Sequence, residues 1–353
     1  MNSTKIVKVD PLNPDENHLQ EAAAILAKGG LVVIPTETVY GIAAHMADEQ
    51  AVKRLYAIKK RPQDKPFSLH IDKKEKIEEF TQDVPALAYK LMAKFWPGPL
   101  TLILKAKDKG TIGIRMPDDA VALKVIALSG VPVVCPSANI SGGNAPINFP
   151  EAIKDLDGLV DFAIDAGHTR LGLESSVVDL TGAQLRILRE GAIKKAEIEA
   201  ALKKKVILFL CTGNSCRSVM AKALLEKKLK EQSRQDIEVL SAGIMAVEGL
   251  GATEEVRELM KQEGMDVSAH HSQRVNKEML ARADLILVME RLHEQRILEM
   301  APEAKNKLFL LKEFAKIKDN NLDIADPIGR APEFYADSLR IIKEAVERVS
   351  KLI

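Results

Sequence analysis

Cys211 and Arg217 bracket a short loop, Cys211-Thr212-Gly213-Asn214-Ser215-Cys216-Arg217, and Ser218 follows directly. This is a C-x5-R spacing. A thiol at the head of a helix and beside a guanidinium is stabilised as thiolate, and the thiolate is the nucleophilic form. The loop N–H groups and the fork of Arg217 suit the oxygens of a phosphoryl group. Asn214 tolerates the left-handed backbone such a loop needs, and Ser218 can donate to the sulfur. Attack on phosphorus also requires an acid for the leaving atom. Asp326, in the proline-punctuated stretch ADPIGRAPEFY, is the candidate. It would protonate the leaving atom and then activate water to hydrolyse a phosphocysteine. Alone, the cysteine would read as a buried strand residue and the Asp-Pro as a turn. Together they make a mechanism, with a non-hydrolytic phosphate sensor as the alternative.

A second set of groups is dispersed over the first half. KKRPQDKP gathers Lys59, Arg61 and Lys65, which suits a polyphosphate but also reads as a solvated helix end. PSANISGGNAP places Ser137 and Asn139 in a polar loop after an apolar run, and Arg189 lies in LREG. Singly, none of these is specific.

These groups need elements to position them. VILFL ends at Cys211, and a helical pattern runs over Ser218–Gln232. Beyond it, DIEVLSA, ADLILVME and KLFLL alternate with helical patterns at Thr253–Glu263, Leu292–Met300 and Glu333–Ser350. That beat predicts a doubly wound, four-stranded parallel sheet whose strand ends carry the loop. The first half lacks a strict beat. Helices are expected at His18–Lys28, with Asn17 as N-cap, at Ala51–Lys60 and near Pro85–Phe95. LVVIP, PFSLHI (Pro66–Ile71), WPGPLTLILKA, TIGIRMP and VPVVCP give strands, TETVYGIAA a polar turn, and SSVVDL with AQLRILREG a closing hairpin. The expected class is therefore α/β, with a twisted mixed sheet and helices in the N-terminal part. The boundaries expected are 1–195 for the first domain, 196–205 for a helical connector and 206–353 for the second.

Composition narrows the setting. The 353 residues are 46% hydrophobic and 29% charged, with a net charge of +1, which gives no general electrostatic case for nucleic acid. Three cysteines without a CxxC pair argue against a disulfide framework. The polar opening MNSTKIVKVDPLNPDEN is unlike a signal peptide, and no apolar run is long enough for a bilayer. A cytoplasmic protein without membrane contact is expected.

In order, PTETVYG, the KxR of Lys59-Lys60-Arg61, WPGPLTLIL, IRMP, PSANISG, SSVVD and LREG resemble the YrdC-like family, the threonylcarbamoyl-AMP synthases, over roughly residues 10–195. The resemblance implies that L-threonine, bicarbonate and ATP yield threonylcarbamoyl-adenylate and pyrophosphate, for threonylcarbamoyladenosine formation in tRNA. It implies that Lys59, Arg61 and Lys65 hold the ATP phosphates with Mg2+, and that Ser137, Asn139, Arg189 and Thr111 face the nucleotide. Thr36, His70, Arg115 and Ser175 would form the threonine side. tRNA or tRNA-modification proteins are the implied partners. Long members of the family continue into a different second domain. The rival reading is a non-catalytic module that binds RNA through a basic concave surface.

CTGNSCRS, SAGI (Ser241–Ile244), HHSQR, ADLILVME and the Asp-Pro loop resemble the low-molecular-weight protein tyrosine phosphatases over about 205–353. Cys211, Arg217 and Asp326 would be catalytic. Thr212, Gly213, Asn214, Ser215, Cys216 and Ser218 would form the phosphate loop, with no cofactor and with phosphorylated proteins as substrates. Arsenate reductases share the loop but need later cysteines, and none follows Cys216. Cys216 could pair reversibly with Cys211 against over-oxidation. Ser215 and the non-tyrosine Ile328-Gly329 lean towards phosphoarginine over phosphotyrosine.

Overall fold

Short apolar runs cut off by proline or glycine build the first part of the chain. The computed structural model describes residues 3–182 and 184–353. The chain divides between Ala201 and Leu202 into two units. In the first, the order is β1 (Lys5–Lys8), α1 (Glu16–Ala27), β2 (Val32–Ile34), β3 (Gly41–His45), α2 (Glu49–Lys59), β4 (Leu69–His70), α3 (Ile77–Phe80), α4 (Ala86–Phe95), β5 (Leu100–Lys105) and β6 (Thr111–Arg115). Then come α5 (Ala120–Ser129), β7 (Val133–Val134), α6 (Phe149–Ile153), β8 (Phe162–Asp165), β9 (Ser176–Asp179), β10 (Arg186–Arg189) and α7 (Lys195–Lys203). Among the described residues these strands form one sheet in the order β1-β8-β2-β3-β7-β4-β6-β5-β9-β10. It is mixed: β4 runs parallel to β6, while β3 pairs antiparallel with both β2 and β7.

Local expectations differ from this sheet in identifiable ways. The cap of α1 is Asp15, whose carboxylate accepts from the Asn17 N–H at 2.9 Å, so the helix starts earlier than an Asn17 cap allows. Only the first part of TETVYGIAA is a turn. From Gly41 the chain is β3, held in the middle of the sheet between β2 and β7, where pairing overrides the turn signal. The strands at PFSLHI and VPVVCP shrink to two residues each, Leu69–His70 and Val133–Val134, the second held between Pro132 and Pro136. The closing hairpin is present as antiparallel β9 and β10; Ala183, at the head of the expected second run, lies outside the described residues.

The second unit continues with β11 (Lys205–Cys211), α8 (Arg217–Glu231), β12 (Ile237–Gly243), α9 (Glu254–Gln262), α10 (Lys277–Arg282), β13 (Leu285–Val288), α11 (Arg291–Met300), β14 (Leu308–Leu310), α12 (Leu311–Phe314) and α13 (Pro332–Leu352). Its sheet is four-stranded and parallel in the order β12-β11-β13-β14. β11 is buried on both faces, and strand alternation divides its side chains. Ile207, Phe209 and Cys211 face the cluster containing α8 and α13 residues such as Leu225 and Ile342, whereas Leu208 and Leu210 face Ile286, Ile297 and Leu308. Fully burying such side chains stabilises by roughly 1.5–3 kcal/mol each. Cys211 is thereby held at the carboxyl end of a rigid central strand. α8 follows because its run of Ala, Leu, Lys and Glu consists of strong helix formers.

Candidate active sites of the two units

In the second unit the loop between β11 and α8 curls around the Cys211 sulfur. Asn214 makes this possible: its φ is 54°, in the left-handed region, and it is fully buried. Its backbone N–H donates to Cys211 Sγ at 3.3 Å. Its side-chain amide donates to Ser218 Oγ at 2.9 Å and to Ser241 Oγ at 3.1 Å, and its oxygen accepts from the Gln273 N–H at 3.0 Å. Because Ser218 accepts from Asn214, its own hydrogen is free for the sulfur, 3.0 Å away. His270 Nε2 donates to the Asn214 carbonyl at 2.7 Å. Gly243, at the end of β12, is required by close approach: a Cβ there would lie 2.5 Å from the Thr212 carbonyl oxygen. Thus the SAGI and HHSQR segments support the loop's shape.

Arg217 is 1% exposed. Its Nη1 donates to the Ile324 carbonyl at 2.7 Å and pairs with Glu290 at 2.9 Å, while its Nη2 donates to the Asp326 carboxylate and to Thr212 Oγ1 at 3.2 Å. Cys211, Arg217 and Asp326 are therefore in one site, along with Thr212, Asn214 and Ser218. The Ser215 hydroxyl lies 3.7 Å from the Cys216 sulfur. Burial pushes the Cys216 thiol up, which separates its chemistry from that of a nucleophile. All three cysteines are free thiols. Glu290 and His293 are members of this site that spacing did not reveal; Glu290 ends ADLILVME, and a carboxylate at a strand end was the available signal.

The first unit has a cavity lined by Thr36, Arg61, His70, Arg115, Ser137, Ser175 and Arg189, together with Tyr40, Thr101, Cys135 and Glu174. Sheet register explains part of this convergence: His70 on β4 and Arg115 on β6 are directly paired. Thr36 Oγ1 donates to the Val39 carbonyl at 2.7 Å and shapes its own turn. Arg189 spans the cavity edge, its Nε on the Ser175 carbonyl at 2.9 Å, its Nη2 on Ser175 Oγ at 3.1 Å and its Nη1 on Glu174 at 2.6 Å. Thr101 Oγ1 touches Ser175 Oγ at 2.9 Å. Gly191 allows this packing, since a Cβ there would lie 2.2 Å from the Glu174 carbonyl oxygen.

Burial first, with the neighbouring Arg115 second, pushes the His70 imidazole down to about 3, so the ring is neutral. Its Nδ1 lies 3.4 Å from the Ser68 carbonyl, which makes Nδ1 the protonated nitrogen and leaves Nε2 as an acceptor. Arg115 is not free: it pairs at 2.6 Å with Glu37, and both side chains are buried.

Four expected nucleotide residues are not on this lining. Lys59 is 2% exposed beneath it, its ammonium donating to the carbonyls of Ser137 and Asn139, the latter at 2.7 Å. Burial, with Arg61 second, lowers its pKa to about 8. Asn139 is turned into its own loop, donating to the Ile140 and Gly143 carbonyls at 2.9 and 2.7 Å. Lys65 is exposed; its carbonyl accepts from Arg61 Nε at 2.9 Å and from the Tyr56 hydroxyl at 3.2 Å, and its backbone N–H donates to the Pro62 carbonyl at 3.1 Å. Thr111 is exposed at the opposite end of β6 from Arg115, so the structure does not bring it to the cavity. Among the described residues no helix is long and apolar enough to cross a membrane.

Residues 24–191 match the Sua5/YciO/YrdC family model, described as telomere recombination. Residues 206–353 match that of the low molecular weight phosphotyrosine protein phosphatases. The first part is 41% identical over 197 residues to threonylcarbamoyl-AMP synthase of Pyrococcus abyssi, covering 53% of this chain and 58% of that one. The crystal structure of P. abyssi Sua5 with L-threonine aligns at a TM-score of 0.55 and 27% identity, over 87% of this chain and 99% of that one. A putative threonylcarbamoyl-AMP synthase of Methanocaldococcus jannaschii is 37% identical over 198 residues, 54% of this chain and 94% of its own. The second part is 40% identical over 145 residues to the protein-arginine-phosphatase of Geobacillus stearothermophilus, 41% of this chain and 93% of that protein. The chain thus spans 58% of the length of the P. abyssi relative.

Proposed function

The chain belongs to the Sua5/YciO/YrdC family through residues 24–191 and to the low molecular weight phosphotyrosine protein phosphatase family through residues 206–353, and on that premise we propose a bifunctional enzyme. The first unit makes threonylcarbamoyl-AMP and pyrophosphate from L-threonine, bicarbonate and ATP, for tRNA modification. The second dephosphorylates proteins through a phosphocysteine.

The synthase reading is carried by one observation: the threonine-side residues Thr36, His70, Arg115 and Ser175 line the same cavity as Arg61, Ser137 and Arg189. The carboxylate of N-carboxy-threonine attacks the α-phosphate of ATP, and negative charge grows on the phosphates. Positioning and preorganised cations are what such a step needs. Arg61 and Arg189 supply the cations. His70 Nε2 accepts a hydrogen from threonine, and Arg115, paired with Glu37 through one nitrogen, retains donors for the carboxylate. Lys59 holds the Ser137–Asn139 loop from beneath. Glu174, the carboxylate on the lining, is paired with Arg189; Mg2+ would accompany the triphosphate and screen its charge.

The phosphatase reading is carried by the two donors, Ser218 Oγ and the Asn214 N–H, that converge on Cys211 Sγ. Cys211 attacks phosphorus while Asp326 protonates the leaving atom, and Asp326 then deprotonates the water that releases phosphate. The polar Ser215 and the absence of tyrosine at Ile328-Gly329 favour phosphoarginine.

Pyrophosphate release is measured with and without threonine. Release that is absent, or indifferent to threonine, removes the synthase. Cys211→Ser should abolish aryl phosphate hydrolysis and leave pyrophosphate release intact; surviving hydrolysis removes Cys211 as nucleophile. Comparing phosphoarginine and phosphotyrosine peptides decides the substrate class.

A further inference from the structure

His293 is fully buried behind the phosphate loop, in the first turn of α11. Its Nδ1 accepts the Glu290 backbone N–H at 3.2 Å, so that nitrogen carries no proton. The ring proton is therefore on Nε2, which sits 3.0 Å from Thr212 Oγ1. The Glu290 carboxylate is 3.6 Å from Nε2, too far to take that proton, and its other oxygen is engaged with Arg217. Thr212 Oγ1 thus accepts from His293, and it also accepts from Arg217 Nη2 at 3.2 Å. Both lone pairs of the hydroxyl are then taken, and its hydrogen can only be donated away from these two groups. The Thr212 backbone is fixed as well, its carbonyl accepting from Met245 N–H at 2.9 Å.

We propose that His293 is a positioning residue that locks the Thr212 hydroxyl as a donor into the phosphate loop, adding a neutral hydrogen bond to the phosphoryl oxygens beside the Arg217 fork. The inference rests on the phosphatase reading of that loop. Burial first, then the Arg217 cation, pushes the His293 imidazole down to about 4, which agrees with a neutral ring. The chemistry gains a donor whose direction is set before substrate binds.

The test is steady-state hydrolysis of p-nitrophenyl phosphate by the full chain. Thr212→Val and His293→Leu should each lower kcat about tenfold, in line with one lost hydrogen bond. The double variant should be no worse than Thr212→Val alone, because His293 acts only through Thr212. Thr212→Ser, which keeps the hydroxyl, and His293→Gln, which keeps a donor at the Nε2 position, should recover activity to within about threefold. Losses that multiply to about a hundredfold in the double variant, or a His293→Gln as impaired as His293→Leu, overturn the proposal. If His293→Leu does not fold, His293→Asn replaces it, since Asn can accept from Glu290 but falls short of Thr212. Absence of turnover by the unsubstituted chain removes the phosphatase reading alone. Inorganic phosphate affinity then decides: about tenfold weaker binding by Thr212→Val supports the donor, and unchanged binding overturns it.

Discussion

Arg217 Nη2 donates to the carboxylate of Asp326, so the residue read as the phosphate clamp also holds the residue read as the general acid. One guanidinium thus serves both the phosphate site and Asp326. Its other nitrogen is anchored by Glu290 and the Ile324 carbonyl.

This sharing predicts opposite effects from one substitution. Asp326→Asn removes the acid, and kcat for an aryl phosphate should fall by roughly 10²–10⁴. It also removes a competing negative charge from Arg217, so inorganic phosphate should inhibit more tightly, not less. Competitive inhibition measured alongside kcat checks both. Weaker phosphate binding in the variant would mean that Asp326 does not compete for Arg217.

Ser218 is held between Asn214 and Cys211, accepting from one at 2.9 Å and donating to the other over 3.0 Å. Hydrogen bonds to charged groups are worth about 1.5–3 kcal/mol. Ser218→Ala should therefore slow phosphatase turnover by about one to two orders of magnitude. It should also change the rate at which iodoacetamide alkylates Cys211, because a hydrogen bond to the sulfur is lost. An unchanged alkylation rate would mean that Ser218 does not act on the sulfur.

The phosphatase loop was readable because one contiguous stretch carries its residues, and the left-handed demand on Asn214 is visible in the residue type. What lay elsewhere was not. Glu290 and His293 reach the loop from β13 and α11, through sheet order that no spacing encodes. The synthase cavity was assembled from short motifs, and Thr36, His70, Arg115 and Arg189 converge because β4, β6 and the strands beside them are neighbours in a mixed sheet. Lys59 and Lys65 show the limit: a cationic cluster does not say which ammonium is buried under a loop and which is in solvent. Strand β3 was hidden because its first residues follow a polar turn, and only pairing on both edges makes it a strand.

Lys59 gives a prediction on the synthase side. Its ammonium satisfies the carbonyls of Ser137 and Asn139 from a buried position. Lys59→Met would leave both part-buried carbonyls without that partner, at a cost of about 1 kcal/mol for each. The variant should unfold at lower urea concentration and release pyrophosphate more slowly, while its aryl phosphatase activity stays unchanged. Loss of both activities together would show that Lys59 supports more than this loop.

His70 ties the stability of the first unit to pH. Its folded value, about 3, lies below the ordinary histidine value of 6.5, because burial and Arg115 disfavour the charged ring. As pH falls below 6.5, the unfolded chain binds a proton that the native ring refuses. Stability attributable to His70 is therefore full above that pH and is lost on the way down towards the folded value. The slope approaches about 1.4 kcal/mol per pH unit. Asp119 opposes it. Burial raises that carboxyl to about 6, so the native state takes up its proton first and gains stability over part of the same range. The two are separated by substitution. Urea unfolding of the first unit's transition, compared between the unsubstituted chain and His70→Gln at pH 7 and pH 4.5, should show a smaller acid-induced loss in the variant. An equal loss in both would mean that His70 takes up its proton in the native state as readily as in the unfolded chain.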